Sequence, residues 1–308
     1  GPRADRAERR PWLLAVADLR TAERASPIAL MAHEVGKTVR EGDPEVSEAI
    51  DFCRYAAMVG VGSLDEAAGR GLDVEGRGPV VVIGPWNFPY AIPTGGVAAA
   101  LAAGNTVILK PAPEAVQVGS WIAEQFWRAG VPGDVLQLVV CPDDEVGRRL
   151  VTHPDVDTVV LTGSYDTAAM FVDWKPDLRL FAETSGKNAL VITASADIDQ
   201  AIADLVRSAF GHAGQKCSAA SLGIVEAAVY DDPSFRRRLA DAVRSLRVLP
   251  ATDPASMVGP VIAPPTGDLA RALTTLEAGE RWLVEPRCLD DRGRLWSPGV
   301  RVDVQSGS

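Results

Sequence analysis

Pro79-Val80-Val81-Val82-Ile83 reads as a buried strand, because the run is short, apolar and dominated by β-branched residues. Working outward from it, Thr94 to Ala103 is a small-residue helix stopped by Gly104. Thr106 to Leu109 is the next strand. Glu114 to Ala129 is a helix ending at Gly130, with Pro132 beyond. Val135 to Val140, Asp143 to Val151 and Thr158 to Leu161 continue the alternation. A helix starting near Asp166 then leads to the apolar strand Leu178 to Phe181. Short apolar strands separated by helices predict an α/β fold with a parallel sheet covered on both faces. In such sheets ligands bind beyond the carboxyl ends of the strands.

The flanks carry their own patterns. Residues 11 to 70 predict two helices. In the second, Asp43 is placed as N-cap and Pro44 as first helical residue. Val46, Ile50, Cys53 and Ala57 then recur at helical spacing, which puts Cys53 in a core. After Gly186 a second α/β unit begins. It has a strand over Leu190 to Ile192, a helix from cap Asp197 through Phe210, a strand over Ser221 to Val225 and a helix from Asp232 through Ser245. Ala263 to Gly267 reads as an exposed loop, Arg292-Gly293 as a hairpin turn, and Val300 to Val304 as a strand.

The chain has 308 residues, room for two cores, and a formal net charge of −10. That charge argues against nucleic acid or an anionic membrane as the main partner. No apolar run has the length of a bilayer span. The opening Gly1-Pro2-Arg3-Ala4-Asp5 is charged early and lacks a secretory pattern, and Gly1-Pro2 has the look of a protease scar. Cys53, Cys141, Cys217 and Cys288 form no CxxC pair, which favours free thiols in a reducing, cytoplasmic compartment over disulfides or a metal site. His212 lies close before Cys217. It reads either as a partner for that thiol or as a helix-end imidazole meeting free carbonyls.

Three segments carry candidate chemistry. Gly214-Gln215-Lys216-Cys217-Ser218-Ala219 offers a thiol, which is either a nucleophile or a small buried hydrophobe. A nucleophilic thiol reacts as thiolate and needs a helix N-terminus or a nearby cation, and Lys216 is adjacent. Phe181-Ala182-Glu183-Thr184-Ser185-Gly186-Lys187-Asn188 offers a carboxylate at a strand end. It is suited either to deprotonating water or to an ordinary ion pair. Pro85-Trp86-Asn87-Phe88-Pro89 offers an amide donor between aromatic residues, suited to an oxyanion, or a plain turn asparagine. Lys110 ends a strand ahead of Pro111-Ala112-Pro113. Gly163-Ser164 closes another before a helix start, where backbone N–H groups suit a pyrophosphate.

Together with Gly104-Asn105-Thr106-Val107-Ile108-Leu109-Lys110-Pro111 and Leu161-Thr162-Gly163-Ser164, these segments resemble the aldehyde dehydrogenase superfamily, from about Leu13 to the end. The wording Glu183-Thr184-Ser185-Gly186-Lys187-Asn188, and the stretch from Asp43 to Cys53, are similar to its glutamate-γ-semialdehyde (Δ1-pyrroline-5-carboxylate) dehydrogenase branch. That branch includes the dehydrogenase half of bifunctional proline-oxidising enzymes. The resemblance implies a Rossmann-variant NAD-binding domain with N-terminal helices over residues 1–185 and an incomplete α/β catalytic domain over 186–308.

The resemblance also implies roles. Cys217 is the nucleophile, Glu183 the general base, and Asn87 with the Cys217 backbone N–H the oxyanion donors. Pro85, Trp86, Lys110, Pro111, Glu114, Gly163 and Ser164 face the cofactor, and Phe88 and Ser218 the aldehyde substrate. No metal is implied, and the full-length form is expected to be a homo-oligomer. NAD is favoured over NADP, although the acidic residue that commonly follows the lysine in NAD-preferring relatives falls at Pro113, with Glu114 one place late. A glycine of the commoner pattern is replaced by Ala168, and GxGxxG is absent. The family's Glu-x-Phe-Gly-Pro motif, substrate-anchoring loop and oligomerisation strand would follow the last strand and are not in the sequence. An exposed sheet edge is therefore expected. An aldehyde dehydrogenase of other specificity, or a dinucleotide-binding fragment without turnover, are the alternatives.

Overall fold

The computed structural model describes residues 6–305. Gly1-Pro2 and the closing Ser306-Gly307-Ser308 lie outside the described residues. The chain divides into two compact units. One holds the chain up to Val35 together with Gly42–Ser185; the other holds Gly36–Glu41 together with the chain from Gly186 onward.

The first unit opens with more helix than the sequence predicts. In place of two helices over 11–70 there are four: α1 (Arg6–Ala22), α2 (Ala25–Glu34), α3 (Val39–Tyr55) and α4 (Val61–Gly69). A π-helical turn at Ala56–Gly60 separates the last two. Asp43 is not the N-cap of α3, and Pro44 lies inside the helix. Tertiary pairing overrides the local signal here. The Asp43 carboxylate takes the Arg24 guanidinium at 2.5 Å, and the same guanidinium reaches the Asp43 carbonyl and Ser47 Oγ. That partner holds the Asp43 carboxyl below its ordinary pKa. Cys53 is fully buried, as its helical spacing requires.

The sheet then forms from β1 (Pro79–Ile83), β2 (Thr106–Lys110), β3 (Leu136–Leu138), β4 (Thr158–Gly163) and β5 (Arg179–Thr184). It is parallel throughout and ordered β3-β2-β1-β4-β5. Helices α5 (Ala91–Ala102), α6 (Val116–Arg128), α7 (Glu145–Thr152) and α8 (Tyr165–Trp174) connect the strands. α5 starts earlier than the Thr94 expected, with Pro93 in its first turn, where a missing N–H is harmless. Period-two alternation sends successive β1 side chains to opposite faces. Val81 and Ile83 pack with Val159, Leu161, Val151, Ala168 and Phe171. Val82 faces α5 so closely that a Cβ on Gly96 would come within 2.8 Å of it. Each fully buried valine or leucine contributes roughly 1.5–3 kcal/mol.

The second unit contains β6 (Asn188–Ile192), α9 (Ile198–Phe210), β7 (Ala220–Val225), α10 (Ala227–Tyr230), α11 (Pro233–Arg244), α12 (Gly267–Thr274), β8 (Arg281–Val284) and β9 (Val300–Val302). Strands β6 and β7 pair in parallel; β8 and β9 pair antiparallel. Asp197 caps α9 by accepting from the N–H groups of Asp199 and Gln200, and Asp232 caps α11 through Ser234 N–H. Ile202, Val206, Phe235, Leu239 and Val243 form the core between them. Arg292-Gly293 turns as expected: Gly293 has φ 68° and bonds Asp290, and Cys288 bridges Trp296. Val191, Leu222 and Ile224, on one face of the two-stranded sheet, are exposed.

Candidate active site

The first set of functional groups gathers where the sheet changes direction. Strands run outward from β1 through β2 to β3 on one side and from β4 to β5 on the other. The loops leaving β1 and β4 therefore diverge and leave a crevice at their carboxyl ends.

The β1 exit is fixed by backbone contacts. Gly84 N–H donates to the Lys110 carbonyl, and a Cβ at Gly84 would lie 2.4 Å from Pro93 Cγ, so only glycine fits. Pro85, Trp86, Asn87 and Phe88 follow, all half-buried. Beyond them the Glu45 carboxylate, buried on α3, accepts the N–H groups of Tyr90 and Ala91 at 2.8 and 3.0 Å. An anion at a helix N-terminus satisfies orphan donors and complements the dipole. Tyr90 is buried beneath this. Its hydroxyl donates to Gln125 Oε1 at 2.7 Å, and the Arg20 guanidinium stacks 4.8 Å from its ring. Burial pushes the Tyr90 phenol up to about 12.

At the end of β2, Lys110 is buried, and its ammonium meets the exposed Asp143 carboxylate at 2.5 Å. Pro111 is buried and Glu114 is exposed on a 3-10 turn, Pro113–Ala115. At the end of β4, Gly163 leads into Ser164, which caps α8: its Oγ accepts from Thr167 N–H at 3.0 Å. Ala168 is buried in the core beside Phe171, where a side chain packs and a glycine would leave a void. Glu183 lies one residue before the end of the edge strand β5, in register with Thr162, and is exposed. The strand runs on to Thr184, further than Phe181.

The second set lies in the other unit, on the turn between α9 and β7. His212 and Ala213 adopt left-handed backbone, φ 51° and 55°, followed by Gly214 at 73°. Two successive non-glycine residues there cost roughly 1–2 kcal/mol each. Three side chains hold the turn. Gln215 Nε2 donates to the carbonyls of His212 and Pro260, and its Oε1 accepts Ile262 N–H at 2.8 Å. Lys216 pairs with Glu41 at 2.5 Å. Asn188, first residue of β6, donates its amide to the carbonyls of Cys217 at 2.6 Å and Ala219 at 3.4 Å. Cys217 is half-buried and Ser218 exposed. A groove of about 1370 Å³ runs past the turn, lined by Lys187, Lys216, Leu222, Ile224 and Trp282 among others.

His212 is fully buried. Burial first, and the charges of Lys37 and Lys216 second, push its imidazole down to about 3. At neutral pH the ring carries no charge, so it gives a thiolate no cationic partner. Sequence reasoning assigned no role to Glu41, Glu45, Asn188 or Gln215. Asn188, Gln215 and Glu45 stood in segments that carry the resemblance, and Glu41 stood in none. The two glutamates bind partners far along the chain and leave no local signal.

This chain belongs to the aldehyde dehydrogenase family, whose model matches residues 3–308. It is 35% identical over 299 residues to the 1-pyrroline-5-carboxylate dehydrogenase of Geobacillus thermodenitrificans (strain NG80-2), covering 90% of this chain and 56% of that protein. The structure of Proline Utilization A from Corynebacterium freiburgense superposes with TM-score 0.91 and 48% identity, over 100% of this chain and 31% of that one. An E. coli NADP dependent enzyme superposes with TM-score 0.85 and 28% identity, over 98% of this chain and 65% of that one. The chain spans about half the length of the curated relatives it matches. Among the described residues no helix is long and apolar enough to cross a membrane.

Proposed function

We propose that this chain carries the nucleotide-binding and thiol-bearing portions of an NAD-dependent aldehyde dehydrogenase that oxidises L-glutamate γ-semialdehyde to glutamate in proline breakdown. The observation that carries the reading is the half-buried Cys217 thiol, just after a left-handed turn that Gln215, Lys216 and Asn188 tie to distant parts of the chain. Likeness to 1-pyrroline-5-carboxylate dehydrogenases and to Proline Utilization A supports the substrate.

The Cys217 thiolate attacks the aldehyde carbon. The C–S bond forms as the carbonyl electron pair moves to oxygen, and the Asn87 side-chain amide and Cys217 backbone N–H stabilise that oxyanion. Loss of hydride from the resulting thiohemiacetal leaves a thioester. Glu183 takes a proton from water, the water oxygen attacks the thioester carbon, and the C–S bond breaks to release carboxylate and thiolate. Phe88 and Ser218 contact the substrate.

The groups at the strand ends suit a dinucleotide. The α8 N-terminus offers backbone N–H groups beside Gly163 and Ser164, where a pyrophosphate is favoured. Lys110, held in place by Asp143, would hold the adenosine ribose of a bound dinucleotide, with Pro85, Trp86 and Pro111 as walls. When bound, NAD supplies the acceptor for the hydride. The exposed Glu114 carboxylate disfavours the additional phosphate of NADP. Four free thiols suit a reducing compartment, the cytoplasm.

The test is NADH appearance with glutamate semialdehyde, beside propanal and a Cys217→Ala control. Cys217-dependent turnover selective for the semialdehyde is expected. Equal turnover of propanal sinks the substrate assignment. Bound NAD without turnover points instead to a dinucleotide-binding protein.

A further inference from the structure

Asn188 closes the Glu183-to-Asn188 segment, yet the reaction above gives it nothing to do. Its surroundings are specific. Its side-chain amide donates to the Cys217 carbonyl at 2.6 Å and to the Ala219 carbonyl at 3.4 Å. Its own backbone carbonyl accepts the Ser221 hydroxyl at 3.3 Å. The β6–β7 register shifts at this point. Asn188 pairs with Ala220, but Ala189 pairs with Leu222, so Ser221 is an extra residue in β7. A bulge bends its strand and re-aims nearby side chains. Asn188 thus grips the bulge with its main chain and the peptide after the thiol with its side chain.

We propose that Asn188 is a positioning residue for Cys217. Its amide fixes the peptide plane that follows the thiol and occupies the negative end of the Cys217 carbonyl. That has two consequences. The plane fixes the direction in which the Cys217 side chain leaves the turn. And a carbonyl oxygen already engaged by a donor repels a neighbouring thiolate less than a bare one. The amide is the right group for this, because it donates without carrying charge. The inference rests on the reading of Cys217 as nucleophile, and it deepens that reading.

The chain carries its own controls. Cys288 is exposed and reports reagent and conditions; Cys53 is fully buried and reports folding of the first unit, and far-UV circular dichroism reports folding of the whole chain, the second unit included. Iodoacetamide alkylates each thiolate with loss of iodide, and peptide mass spectrometry reads all four cysteines in one sample. In the unsubstituted protein Cys217 is expected to react faster than Cys288. Asn188→Asp keeps the shape and removes the donor. It is expected to slow Cys217 by about tenfold near neutral pH, with Cys288 unchanged and Cys53 unlabelled. Asn188→Gln keeps the donor on a longer arm and is expected to restore most of the rate, which a purely packing role does not predict.

An unchanged Cys217 rate in a folded Asn188→Asp protein overturns the inference and leaves the nucleophile reading standing. Should Asn188→Asp expose Cys53 or lose ellipticity, Asn188→Ala, which adds no charge, is read by the same criteria. A Cys217 no faster than Cys288 in the unsubstituted protein overturns the nucleophile reading and this inference with it.

Discussion

The ammonium of Lys216 lies 2.5 Å from the carboxylate of Glu41, which stands in the first turn of a helix far upstream. Both are about one-fifth exposed, between a screened surface pair and a buried one. Glu41→Gln and Lys216→Gln are each expected to cost about 1 kcal/mol in urea unfolding. The double variant should cost no more than the worse single one, because both lose the same interaction. Additive losses would mean that the pair does not act as a pair.

Glu45 holds two backbone donors under the β1–α5 turn. Glu45→Ala leaves the N–H groups of Tyr90 and Ala91 without that acceptor, at an expected cost of about 2–3 kcal/mol. Glu45→Gln, which retains an oxygen acceptor without charge, should lose less than half of that. Urea denaturation compares them, and equal losses would contradict the hydrogen-bond account.

Ala213 sits at φ 55°, where a Cβ is disfavoured. Ala213→Gly relieves that strain but adds freedom to the unfolded chain, for a net gain of about 0.5 kcal/mol. Ala213→Val, with a branched Cβ, is expected to lose about 1–2 kcal/mol. A melting temperature that falls for glycine and holds for valine would refute the left-handed assignment.

His212 makes stability depend on pH. Its folded value of about 3 lies below the ordinary imidazole value of 6.5, so between these limits the unfolded chain binds the extra proton. Stability from this group is fully present above pH 6.5 and is lost as pH falls toward 3, at up to about 1.4 kcal/mol per unit. His212→Asn tolerates the left-handed backbone and removes the titration. The difference between the two proteins should therefore shrink as the pH is lowered from 7 to 4. A constant difference would show that the imidazole does not titrate on unfolding.

The order of strands and helices was legible because each β-branched run and each glycine stop speaks locally. Pro79 to Ile83 and the Asp197 cap needed no tertiary information. Asp43 failed as a cap because it lies inside α3 and Arg24, in the turn between α1 and α2, takes its carboxylate. The thiol, the strand-end carboxylate and the turn amide were legible as residue types in motifs. What holds them was not. Gln215 reaches Pro260 and Ile262, and Glu41 reaches Lys216, across separations that leave no periodicity to read. The left-handed backbone at His212 and Ala213 was equally invisible, since neither residue is a glycine.

At Tyr90 and Ala91 Glu45 takes hold of main-chain N–H groups. The anchorage of the β1–α5 turn is thus blind to what the turn displays. Trp86 and Phe88 stand on a foundation that does not depend on their identity, so this turn is a place where a new pocket wall can be installed, by evolution or by an engineer, without laying the footing again.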